Sequence, residues 1–101
     1  MPARILIIED NAENLELMRY LLSAHGHDVL VARDGRSGVS TAATSSPDLI
    51  LCDIQMPEMD GYEVAQALKS TVRTLRIKLV AVTALAMVGD RERVLALLPG
   101  R

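Results

Sequence analysis

Short apolar runs alternate along this chain with stretches in which apolar residues recur every third or fourth position. Arg4 to Glu9 (RILIIE) is a β-branched run that reads as a buried strand. Leu15, Met18, Leu21 and Leu22 then fall at helical spacing; Asp10 or Asn11 can cap that helix, and Gly26 stops it. Asp28 to Ala32 (DVLVA) reads as a second strand and Asp34-Gly35 as a turn. A weak helix is expected over Gly38 to Thr44, with Val39, Ala42 and Ala43 inward, closed by Ser46-Pro47. Asp48 to Asp53 (DLILCD) is a continuous apolar run, the pattern of a strand buried on both faces. A loop with Pro57 leads to a helix over Gly61 to Ser70, with Val64, Ala65 and Leu68 inward. Ile77 to Thr83 (IKLVAVT) reads as a fourth strand, and Gly89 to Leu98 as a fourth helix with Val94, Leu97 and Leu98 on one side.

Strand and helix therefore alternate four times. That order implies an α/β fold: a parallel sheet with helices on both faces, joined by right-handed crossovers. In the doubly wound, flavodoxin-like arrangement the strand order is 2-1-3-4-5, with the reversal between strands 1 and 3. This chain supplies the first four strands, in the expected order 2-1-3-4.

Composition narrows the function. With 101 residues there is room for one domain, and a hydrophobic fraction of 50% is enough for a core. The net charge of -2 and the lack of a basic stripe argue against direct nucleic-acid binding. Two tyrosines and no Trp or Phe leave no stacking platform for single strands. No apolar run is long enough to span a membrane, the N-terminus carries no signal pattern, and the single cysteine, Cys52, suits a reducing compartment. A cytoplasmic protein is expected. His25 and His27 read as solvated, Met56 and Met59 as loop packing, Cys52 as an inert core residue and Arg91-Glu92-Arg93 as a solvated helix face.

The chemistry lies at the strand ends. Glu9 and Asp10 end the first apolar strand, Asp53 the third and Thr83 the fourth. Ligands of open α/β sheets bind at those carboxyl ends, at the switch point. Neighbouring strands lie roughly 4.8 Å apart, so Asp10 and Asp53 face each other across the crevice. Taken singly, Asp10 is as well explained as a helix cap, Asp53 less well as a turn residue, and Thr83 better as a strand-end hydroxyl; their convergence on one crevice favours a site. Three carboxylates that close require a cation, and oxygen ligands without His or Cys favour Mg²⁺. An Asp carboxylate can act as a nucleophile and form an aspartyl-phosphate.

At these residues the chain resembles a response-regulator receiver domain of two-component systems. The matching segments are Ile7-Ile8-Glu9-Asp10-Asn11, then Asp48 through Gly61 (DLILCDIQMPEMDG), then Val80-Ala81-Val82-Thr83-Ala84 followed by Leu85-Ala86-Met87. The resemblance spans residues 4 to about 95. It implies that Asp53 accepts a phosphoryl group, and that Asp10 and Asp53 bind Mg²⁺ with the Gln55 backbone carbonyl, Glu9 contributing indirectly. It also implies that Thr83 contacts the phosphoryl oxygen, with the Ala84 N–H nearby. The implied partners are a sensor histidine kinase or a histidine phosphotransfer protein, and a downstream protein that carries the output.

The family continues with a fifth strand bearing a lysine and an aromatic, then a fifth helix. Leu97-Leu98-Pro99-Gly100-Arg101 does not match, and no lysine follows Lys78. The expectation is a receiver lacking its fifth βα unit and any effector domain. A degenerate receiver that binds partners without phosphorylation is the alternative function. An enzyme with an Asp nucleophile would need an acid or base beside Asp53, for which there is no candidate. Without the last unit, the fourth strand and an apolar patch at Leu15, Met18 and Leu22 should be uncovered and favour self-association. Phosphorylation should then shift the loop from Ala84 to Gly89 only weakly.

Overall fold

The computed structural model describes residues 2–82. They form β1 (Arg4–Ile8), α1 (Ala12–Ala24), β2 (Asp28–Ala32), α2 (Gly35–Ser45), β3 (Leu49–Asp53), α3 (Gly61–Lys69) and β4 (Lys78–Val82). All described pairings are parallel, as the alternation of periods predicts, and the strand order is β2-β1-β3-β4, that of the flavodoxin-like arrangement. Thr83, Ala84, the helix expected over 89–98 and the loop between them lie outside the described residues.

The two central strands carry the burial. Every residue of β3 is buried, as are Ile5 to Ile8 of β1. Side chains alternate across a strand, so each strand feeds two cores. On one face Ile5, Ile7, Leu49 and Leu51 pack with Leu15, Met18 and Leu22 of α1. On the other, Leu6, Ile8, Ile50 and Cys52 pack with Ala42 of α2 and with Val64 and Leu68 of α3. Continuous apolar runs are thus what two covered faces demand.

The helix ends follow local chemistry. Asn11 is the cap of α1: its side chain accepts from the Asn14 N–H at 3.0 Å. Asp10 is therefore not needed as a cap and is released for the crevice. The other end of α1 closes with Gly26 at φ 83°; its N–H donates to the Ser23 carbonyl and that of His27 to the Leu22 carbonyl, a Schellman closure.

Three expectations are corrected. First, α2 begins at Gly35, not Gly38, because the Asp34 carboxylate accepts from the Ser37 N–H at 2.8 Å and caps the helix where a turn was read. Second, His27 is not simply solvated: it is half-buried and its Nδ1 accepts the Ala3 N–H at 2.9 Å, whereas His25 is exposed as expected, with its Nδ1 2.9 Å from the Leu21 carbonyl. Third, the uncovered patch on α1 is not there. Leu15, Met18 and Leu22 are 6%, 1% and 0% exposed, because the apolar stripe of α1 lies against β1 and β3. These three side chains therefore form no exposed patch.

Candidate functional site

β1 and β3 are direct neighbours, with Ile8 paired to Cys52. The residues that follow each strand therefore emerge side by side, at the point where the chain has wound outward in both directions. Carboxylate oxygens of Glu9, Asp10 and Asp53 all lie within 4.8 Å of one another. Glu9 and Asp53 are buried and Asp10 is half-buried.

Backbone donors hold this cluster. Glu9 Oε2 accepts from the Asn11 N–H at 3.1 Å, and Asp53 Oδ1 from the Gln55 N–H at 3.1 Å. The Glu9 N–H donates to the Ala32 carbonyl at 3.0 Å, which extends the ladder one residue past β1. Arg33 lies at the rim and donates from Nη2 to the Asp10 carbonyl at 3.2 Å. The other Glu9 oxygen, Oε1, is buried with no hydrogen-bond partner. An unpaired buried carboxylate oxygen is expensive. Burial first, then contact with Asp53 and the charge of Asp10, push the Glu9 carboxyl up to about 7. Burial, with the neighbouring carboxylates of Asp53, Glu9 and Asp60, pushes the Cys52 thiol up to about 12, so it stays protonated and is no nucleophile.

The loop after Asp53 is shaped by a tight turn, a capped helix start and a close glycine contact. The Met59 N–H donates to the Pro57 carbonyl at 2.7 Å around Glu58 at φ 67°, a γ-turn. Asp60 then caps α3: its side chain accepts from the Glu63 N–H, and the Glu63 side chain accepts from the Asp60 N–H. The spacing Asp60-x-x-Glu63 is a capping box and was legible as one. Gly61 follows, and its N–H donates to the Ile54 carbonyl at 3.0 Å. A Cβ on Gly61 would lie 2.9 Å from the Asp53 carbonyl oxygen and 3.0 Å from Ile54 Cα. Both are backbone atoms, which cannot rotate away. We expect Gly61→Ala to destabilise the domain by about 1–3 kcal/mol and to displace Asp53. A lowered urea midpoint with an unchanged slope, together with shifted Asp53 and Gln55 amide resonances, would check this.

The structure thus brings Glu9, Asp10 and Asp53 together, with the Gln55 amide on Asp53. Thr83 and Ala84 lie outside the described residues; Val82, just before them, is paired with Asp53 in β4. The acidic cluster suits a hard divalent cation: its donors are all oxygen, and the orphaned Glu9 oxygen points to a missing positive group.

Fold and site together define a doubly wound α/β domain with an acidic crevice at its switch point. The profile of the response regulator receiver domain matches residues 5–97. The polar-differentiation response regulator DivK of Brucella anthropi is 44% identical over 94 residues, covering 93% of this chain and 76% of that protein. The receiver domain of a sensor histidine kinase from Pseudomonas aeruginosa PAO1, solved with a magnesium ion coordinated in its active-site cleft, is 33% identical. It superposes with a TM-score of 0.79, covering 91% of this chain and 75% of that one. The N-terminal domain of a response regulator receiver protein from Methanoculleus marisnigri JR1 is 28% identical, with a TM-score of 0.78 over 81% of this chain and 67% of that one. The chain belongs to the response-regulator receiver family of two-component signalling. Among the described residues no helix is long and apolar enough to cross a membrane.

Proposed function

We propose that this chain accepts a phosphoryl group on Asp53 from a histidine kinase or a histidine phosphotransfer protein, in a Mg²⁺-dependent reaction in the cytoplasm, and passes the signal to a downstream protein. The observation that carries the reading is the convergence of Glu9, Asp10 and Asp53 within 4.8 Å, with one buried Glu9 oxygen left unpaired. The DivK relatives and the magnesium in the Pseudomonas receiver support it.

Asp10, Asp53 and the Gln55 backbone carbonyl would hold the ion, with Glu9 behind them. Bound there, Mg²⁺ supplies positive charge that offsets the carboxylates and the phosphoryl oxygens. The residues of the chain do the rest by position. The Gln55 N–H on Oδ1 fixes the rotamer of the nucleophile. An Asp53 oxygen forms the new O–P bond as the P–N bond of the donor phosphohistidine breaks, and the leaving imidazole takes up a proton. In-line transfer of this kind asks little covalent chemistry of the protein, so a few well-placed groups suffice. Thr83 and the Ala84 N–H would contact the transferred phosphoryl oxygens.

Phosphoramidate carries the P–N bond of phosphohistidine in a small molecule and provides the test. The chain should become modified in Mg²⁺ and not in EDTA, as read by a phosphate-affinity gel shift, and Asp53→Asn should abolish the shift. Absence of modification in Mg²⁺, or modification of Asp53→Asn to the same extent, would overturn the proposal.

A further inference from the structure

Arg33 stands alone between two fixed elements. β2 ends at Ala32, whose carbonyl accepts the Glu9 N–H at 3.0 Å, and Asp34 caps α2 through the Ser37 N–H. A single residue between a strand ladder and a helix cap has little backbone freedom. The register also sets its neighbours. Ile8 is paired with Ala32, so Glu9 and Asp10 emerge from β1 beside Arg33 as it leaves β2.

What Arg33 holds is one peptide unit. Its Nη2 donates to the Asp10 carbonyl at 3.2 Å, and the N–H of that same peptide, belonging to Asn11, donates to Glu9 Oε2 at 3.1 Å. A cation thus sits at the oxygen end of the Asp10–Asn11 peptide and a carboxyl oxygen at its hydrogen end. The guanidinium contact is charge-assisted, and by polarising the peptide it strengthens the N–H as a donor to Glu9. The helix gives the Asp10 carbonyl no partner. Asn11 is the cap of α1, the Leu15 N–H donates to the Asn11 carbonyl, and the Asn14 N–H is taken by the Asn11 side chain. Among the described residues, the hydrogen bond that the Asp10 carbonyl accepts is the one from Arg33.

We propose that Arg33 is a positioning residue of the acidic crevice, an inference that rests on the Mg²⁺ reading of that crevice. By clamping the Asp10–Asn11 peptide it keeps the Asp10 carboxylate beside those of Glu9 and Asp53, ready for the ion. A bare charge at the rim would act in the opposite direction. It would repel Mg²⁺, so its removal would tighten binding, whereas removal of a clamp loosens it. Salt separates the two roles. At about 1 M the screening length falls to about 3 Å, and an exposed charge then contributes little.

The test is a Mg²⁺ titration of the isotope-labelled full chain in about 1 M KCl, followed by the Asp10, Asn11 and Asp53 amide shifts. Arg33→Ala should bind Mg²⁺ about threefold more weakly or worse. Because Arg33 is exposed, the loss should fall short of the roughly 10–100-fold typical of outer-shell partners. Arg33→Lys keeps the charge but offers a point donor on a shorter stem, so it should fall between. In the metal-free protein the Asn11 amide should exchange with solvent faster in Arg33→Ala than in the wild type. The exposed side chain leaves the core untouched, so both variants should fold. If Arg33→Ala binds Mg²⁺ as tightly as the wild type or more tightly at that salt, or if its Asn11 amide exchanges no faster, the clamp is overturned and the Mg²⁺ reading stands. A wild type that takes up no Mg²⁺ would overturn the Mg²⁺ reading and the clamp with it.

Discussion

Truncating Leu51 to alanine should destabilise the domain by about 2–5 kcal/mol, the range for deleting a large buried aliphatic side chain. Leu51 sits in the middle of β3, fully buried, paired with Ile7 of β1 and Val80 of β4. Its side chain belongs to the core formed with Leu15, Met18 and Leu22 of α1. It therefore lies between two neighbouring strands and a helix, and none can collapse into the space without moving the others. A single domain has about 5–15 kcal/mol in total, so this one change removes a large share. Asp53 ends the same strand, so the crevice should loosen with the core. Leu17→Ala is the control: Leu17 is 38% exposed, and the loss there should be small. Urea denaturation of the two variants checks the pair, and equal losses would contradict the layered core.

The second large effect concerns pH and Glu9. In the metal-free protein the Glu9 carboxyl is raised from 4.5 to about 7, chiefly by burial and then by contact with Asp53. A raised carboxyl binds its proton more tightly in the folded than in the unfolded state. Its contribution is fully present below pH 4.5 and is lost as pH rises toward 7. The span corresponds to a loss on the order of 3 kcal/mol. In EDTA the wild type should thus lose stability relative to Glu9→Gln between about pH 4.5 and 7, and then level off. Mg²⁺ should restore wild-type stability at the upper end, since a ligand of the folded state stabilises it by mass action. Denaturation curves across that window, with and without Mg²⁺, give the answer. A constant difference between wild type and Glu9→Gln would show that burial does not hold the Glu9 proton.

Much of this architecture was legible before any coordinates. The switch from a two-residue to a 3.6-residue period marks each element, and the continuous run of β3 announces its two covered faces. The alternation implies the parallel sheet, and the flavodoxin-like arrangement supplies its strand order. Asp10, Asp53 and Glu9 were legible as a site because the ends of adjacent parallel strands must meet. Less legible were features that depend on a partner distant in sequence. The unpaired state of Glu9 Oε1 reflects how deeply the end of β1 is covered. The closeness of Gly61 to the Asp53 carbonyl comes from the path of a loop, not from a pattern. Residues 71–76 show no period, so the tie of the Thr74 hydroxyl to the Leu68 carbonyl could not be read there. The early start of α2 was missed because Asp34-Gly35 suits both a turn and a capped helix, and only the Ser37 amide decides between them.

The central claim is that Asp53 is the residue that carries the phosphoryl group. Mass spectrometry of the chain after incubation with acetyl phosphate tests it most directly, with intact mass giving stoichiometry and fragmentation the site. The account predicts one Mg²⁺-dependent phosphoryl adduct, placed on Asp53, lost on raising the pH as an acyl phosphate should be, and absent from Asp53→Asn. An adduct on another residue, or an unmodified chain in the presence of Mg²⁺, would contradict it.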